Sequence, residues 1–203
     1  MTEGEWLAAT EPTLMLEFLR GKASDRKLRL FACAWGYELW SRMSDERSQN
    51  ALITAEQFAD GLRGMDNLRA CWEEAWAARS NANTWATQAA LTACYVGYDI
   101  DRAISQVNYE MVSVRRENGL PERLRCLFGN PFRPVAIAPD WLTSTVVALA
   151  GGIYQERAFD RMPILADALQ DAGCDSEDIL SHCRQPGEHV RGCWVVDLVL
   201  GKS

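Results

Sequence analysis

Residues 24–40, SDRKLRLFACAWGYELW, decide the class of fold. Leu28, Phe31, Trp35 and Leu39 recur at intervals of three and four. That spacing stacks side chains along one face of an α-helix and does not fit the alternation of a strand. Ser24 and Asp25 open the segment with a capping hydroxyl and an acid at the positive end of the helix dipole. An apolar stripe of this kind is stable only when other elements cover it.

The same grammar extends in both directions. Upstream, Thr10 is expected to cap a short helix with Pro12 in its first turn, and Gly21 ends it. Downstream, Ser44-Asp45 starts a helix that turns Leu52, Ala55, Ala59 and Leu62 inward. Residues 66–97 read as a long Ala- and Trp-rich helical stretch with a polar break at residues 80–84, SNANT. Residues 99–118 read as an amphipathic helix closed by Gly119, and residues 121–128 as a short one. The remainder predicts helices over 141–158, 161–172, 176–184 and 188–200, punctuated by Gly173 and by Pro186-Gly187. No strand alternation or βαβ rhythm interrupts the pattern. The expected fold is all-α, a multi-helix bundle or helical-hairpin array.

One segment differs. Residues 129–139, GNPFRPVAIAP, hold three prolines in eleven residues. Proline removes amide donors and turns the preceding residue away from the helix. This predicts an ordered Pro-rich connector at 129–140 between an N-terminal helical region, 1–128, and a C-terminal one, 141–203, packed as one compact unit. Val135-Ala136-Ile137 inside it suits a short extended stretch.

Composition limits the function classes. The chain has 203 residues, 48% hydrophobic and 24% charged, enough to bury a core without disulfide staples. Lys and Arg number 21 against 28 Asp and Glu, giving a net charge of −7. The densest basic cluster, Arg20, Lys22, Arg26, Lys27 and Arg29, flanks and enters a helix that also carries Asp25 and reads as a solvated face, so no nucleic-acid partner is expected. The longest apolar stretch is broken by Gly151-Gly152 and is too short to span a bilayer, so no membrane association is expected. The opening MTEGEWLAAT is acidic and lacks the apolar core of a signal peptide. Seven cysteines without framework spacing argue against a secreted disulfide scaffold. A reducing, cytoplasmic setting is the expectation.

Three segments carry a resemblance. EWLAATEPTLMLEFLRGKASDRKLRLFACA at 5–34, FGNPFRPV at 128–135, and YQERAFDRMPILADALQDAGC with HCRQPGEHVRGCWVVDLVLGK in the tail resemble an uncharacterised paralogous family of helical proteins abundant in Planctomycetes. The likeness covers both ends, about half the chain. It departs from that family after Ala34 and across residues 95–117. It implies a cytoplasmic bacterial helical protein and no particular activity.

Two groups of residues are candidates for function. Trp72 and Trp76 lie one turn apart and, with Trp85, compose a candidate partner-binding face or an aromatic core. The second group is in the tail. Both histidines of the chain, His182 and His189, fall there with Cys174, Cys183 and Cys193. Thiolate and imidazole are the ligands zinc prefers, four at a time and tetrahedral. His189 and Cys193 are four apart, one face of a helix. His182 and Cys183 are adjacent and diverge, so only one of them joins a set completed by Cys174. No CxxC knuckle is present, and the same residues also suit plain packing. Cys193, His189 and Asp197 give a further alternative, a cysteine nucleophile, but no oxyanion donors accompany them.

The first expectation is therefore a non-enzymatic helical protein-interaction or scaffold module that binds a protein partner and has no cofactor. The alternative is a small zinc-binding or cysteine-dependent enzyme using the 174–193 cluster.

Overall fold

The computed structural model describes residues 1–78, 84–95 and 119–202. Among the described residues there are eleven α-helices, three short 3-10 turns and no strand, so the fold is all-α as the periodicity requires. The chain divides into two compact units, one formed by Met1 and Ala9–Leu120, the other by Thr2–Ala8 and Pro121–Ser203. The boundary falls before residues 121–128, which the sequence reading placed with the N-terminal region. The Pro-rich connector thus lies within the second unit.

In the first unit α2 (Pro12–Leu19) is followed by α3 (Asp25–Glu38), α4 (Glu46–Ala59), α5 (Met65–Ala78) and α6 (Thr84–Tyr95). Ser24 caps α3, its side chain accepting from the Lys27 amide, and Asp45 caps α4 through the Arg47 amide. Thr10 does not cap α2; Glu11 stands at that position with no side-chain capping bond. The long stretch over 66–97 is two helices, α5 and α6. The expected helix over 99–118 lies outside the described residues, as does most of the break at 80–84.

Helix α4 packs on α3, α5 and α6. Gly36 permits the α3–α4 approach: a Cβ there would meet Leu52 Cδ1 at 2.6 Å. Leu28, Phe31, Trp35, Leu39, Leu52, Ala55 and Ala59 are all buried, which realises the predicted stripe, whereas Leu62 is 68% exposed. Leu62 follows the end of α4, so helical spacing no longer governs where it points.

The second unit begins with α1 (Glu3–Ala8) and continues with α7 (Leu120–Phe128), α8 (Ser144–Glu156), α9 (Met162–Asp171), α10 (Glu177–Arg184) and α11 (Trp194–Leu200). Helix α8 packs on α9 and α11, α9 on α10, and α10 on α11. Val146, Ala150, Ile153, Leu165, Leu169, Ile179 and Val196 form its core, with Cys126, Cys174, Cys183 and Cys193 among them. Trp6 on α1 is fully buried, and its indole N–H donates to the Gly129 carbonyl at 3.0 Å. Arg125 answers by donating to the Trp6 carbonyl at 3.1 Å.

The last predicted helix is shorter than its sequence pattern. Residues 188–193 are not helical, and α11 starts only at Trp194. The Cys193 amide instead donates to the Val190 carbonyl at 2.9 Å, and Gly192 has φ +88°. A four-residue turn with a positive φ at its third position is the arrangement that glycine favours. No described helix is long and apolar enough to cross a membrane.

Candidate metal centre

Three separate pieces of the second unit converge. Helix α7 exists because Leu120, Leu124 and Leu127 repeat at helical spacing and bury, and because Gly129, at φ +61°, stops it. Cys126 lies in its last turn, 2% exposed. Helix α10 begins with Glu177 and Asp178 at its positive end, buries Ile179, Leu180 and Cys183, and carries His182 in its last turn. The turn between α10 and α11 supplies His189 and Cys193.

The ligand atoms of Cys126, His182, His189 and Cys193 all lie within 4.8 Å of one another. Cys193 Sγ is 3.2 Å from His182 Nε2 and 3.8 Å from His189 Nδ1. Cys126 Sγ is 3.7 Å from the same Nδ1. The two imidazole rings meet edge to face, centroids 4.9 Å apart. The atoms facing inward are thus two sulfurs, Nε2 of one ring and Nδ1 of the other. Trp194 walls the site on one side, its ring 5.2 Å from His182.

Of the five tail residues that were candidate metal ligands, His182, His189 and Cys193 come together. Cys174 and Cys183 are buried in the apolar core and stand outside the group. Burial pushes both of their thiols up, as expected for packed sulfurs. Of the adjacent pair, His182 joins and Cys183 does not. Sequence reasoning passed over Cys126. The available signal was its place two residues before the FGNPFRPV segment that begins at Phe128. His189 and Cys193 approach through the Val190–Cys193 turn and not through a shared helical face. Asp197, buried on α11, is not a member of the four-residue group.

The electrostatics set Cys193 apart from the packed cysteines. Burial acts to raise its thiol, yet hydrogen bonds with Cys126, His182 and His189, and the nearby charge of His182, outweigh it and hold the thiol well below its ordinary range. A buried thiolate needs a positive partner. A divalent cation with two thiolates and two neutral imidazoles makes a group of zero net charge, which removes most of the cost of burying it. Zinc takes N and S donors tetrahedrally, with bonds of about 2.0–2.3 Å, so its ligand atoms sit roughly 3–4 Å apart. The three contacts of 3.2, 3.7 and 3.8 Å lie in that range, and the four atoms as a set spread no wider than 4.8 Å.

The ligand-bearing elements are also braced from outside. Arg123, one turn before Cys126 on α7 and 4% exposed on its side chain, pairs with Glu188, the neighbour of His189. This ties the His189 turn to the helix that carries Cys126.

The tryptophan group is less concentrated. Trp72 and Trp76 stack at 5.4 Å on α5, Trp72 partly buried and Trp76 49% exposed. Trp85 falls on α6, and its side chain lies outside the described residues. Comparison with known proteins returned no matching family model, no similar curated protein and no similar solved structure.

Proposed function

We propose that the second unit is a zinc-binding helical module and that Cys126, His182, His189 and Cys193 bind the ion as a structural Cys2His2 centre. The observation that carries this reading is the convergence of four N and S ligand atoms within 4.8 Å from three separate segments. Four protein ligands leave no open coordination position, and a catalytic zinc requires one. The centre therefore acts as a cross-link between α7, α10 and the turn before α11, and the protein as a scaffold. Metal analysis of the reduced, full-length protein tests it. One zinc per chain is expected, with a tetrahedral ligand-field spectrum on cobalt substitution. Failure to bind either ion, or binding unaffected by Cys126→Ala, overturns it.

A second reading concerns the first unit and is compatible with the first. The half-exposed Trp76 stacked on Trp72 supports a protein-binding face on α5. Trp76→Ala, compared with the intact protein for recovery of a common binding partner, tests it; equal recovery removes it.

A further inference from the structure

The two candidate histidine ligands are held differently on their outer sides. His182 turns Nε2 toward Cys193 Sγ, and its other nitrogen, Nδ1, lies 3.1 Å from Nε2 of the Gln185 carboxamide. His189 turns Nδ1 toward the two sulfurs. Its outer nitrogen, Nε2, is buried and has no hydrogen-bonding partner among the described residues. Only the His182 ring is gripped from outside by a side chain at hydrogen-bonding distance.

A neutral imidazole has one lone pair and one N–H. A ring that gives its Nε2 lone pair to a metal must carry its proton on Nδ1. The group facing Nδ1 must then accept. Gln185, which here presents Nε2 to the ring, meets this requirement after a half-turn of its carboxamide, which brings Oε1 to the same place at almost unchanged shape. The side chain lies on the exposed rim of the site, where that turn meets little resistance.

The local sequence explains why Gln185 occupies this position. Pro186 follows it and excludes the helical conformation. Gln185 accordingly leaves α10 with φ −62° and ψ 140° while its amide still closes the last turn on the Ser181 carbonyl at 2.8 Å. It is three residues beyond His182, so a side chain reaching back from the helix end meets that ring.

Resting on the zinc reading above, we propose that Gln185 is the positioning residue of the centre: it accepts the Nδ1–H of His182 and so fixes the tautomer and ring orientation that present Nε2 to the ion. Partners of this kind raise ligand basicity, and their loss weakens metal binding by about 10–100-fold.

The test measures cobalt and zinc affinity by chelator competition in the intact, reduced chain for the parent protein, Gln185→Leu and Gln185→Glu. Long-range proton–nitrogen NMR of the zinc-loaded parent reads the His182 tautomer directly. The expected result is a 10–100-fold weaker affinity for Gln185→Leu. Gln185→Glu, which can only accept, restores parental affinity or exceeds it. The NMR spectrum shows His182 protonated at Nδ1. Equal affinity in Gln185→Leu, or loss of affinity in Gln185→Glu, overturns the assignment while leaving the zinc reading intact; His182 protonated at Nε2 overturns the assignment and also removes His182 Nε2 from the ligand set. A parent protein that binds neither ion removes the zinc reading itself.

Discussion

Cys126 Sγ and His189 Nδ1 are 3.7 Å apart, although 63 residues separate them in the chain. The Arg123–Glu188 pair spans a similar interval one helical turn away. An ion held between these segments closes a long loop. The unfolded chain lacks that closure and has only weak sites of its own, so the binding energy of the metal becomes folding energy. With free zinc at 100–1,000 times its dissociation constant the gain is about 3–4 kcal/mol. A strong chelator should therefore lower the melting temperature by on the order of 10 °C, and added zinc should restore it. A melting curve indifferent to chelator would show that the unit folds without the ion.

The cysteines divide into two groups with opposite expected behaviour. Cys126→Ala and Cys193→Ala should each abolish stoichiometric zinc binding. Cys174→Ala and Cys183→Ala should retain one zinc per chain and lose only packing, about 1–2 kcal/mol each. Metal content and denaturation of the four variants check this together. Loss of zinc in Cys183→Ala with retention in Cys126→Ala would invert the assignment.

Gly129 meets two demands at once. Its φ of +61° ends α7, and a Cβ at this position would stand 3.2 Å from the Trp194 ring. Gly129→Ala should cost about 1–2 kcal/mol from the left-handed backbone alone. Crowding of Trp194, which borders His182, should shift tryptophan emission and weaken zinc binding together. Unchanged emission would mean that the ring yields without effect on the centre.

Cys94 in the first unit is a separate case. Burial pushes its thiol up to about 12, against the opposing charge of Arg29, whose guanidinium donates to the Ala93 and Cys94 carbonyls at 2.9 and 3.1 Å. The unfolded thiol ionises near 9.0, so between there and about 12 the unfolded chain holds fewer protons than the folded one. By linkage the contribution of Cys94 to stability is complete below pH 9 and declines as the pH rises toward 12. Chemical denaturation at pH 8 and pH 10.5 should show the loss. Alkylation of the native protein at pH 8.5 should modify the partly buried Cys71 well before Cys94. Equal labelling rates would refute the burial argument.

Local interactions made the helices legible. Leu28, Phe31, Trp35 and Leu39 define a face by spacing alone, and Ser24 and Asp45 cap the helices they precede because a hydroxyl or carboxylate reaches an amide two or three residues on. Near its own ends a helix needs no knowledge of the rest of the chain. The tail likewise announced that both histidines and three cysteines were close in sequence. Their arrangement was a different matter. Spacing of four suggested a helical face for His189 and Cys193, but Pro186-Gly187 and Gly192 keep this stretch in a turn until Trp194. Nothing local distinguishes His182 from Cys183, since both bury; only the position of α7 determines which one meets the other ligands. Cys126 could not be assigned from the tail at all, because no short-range rule connects residues 63 positions apart. Periodicity and capping, which act within a turn or two, were written in the order of the amino acids. The four-atom cluster depends on how α7, α10 and the last turn pack around a shared apolar core, and that packing exists only once the chain has closed on itself.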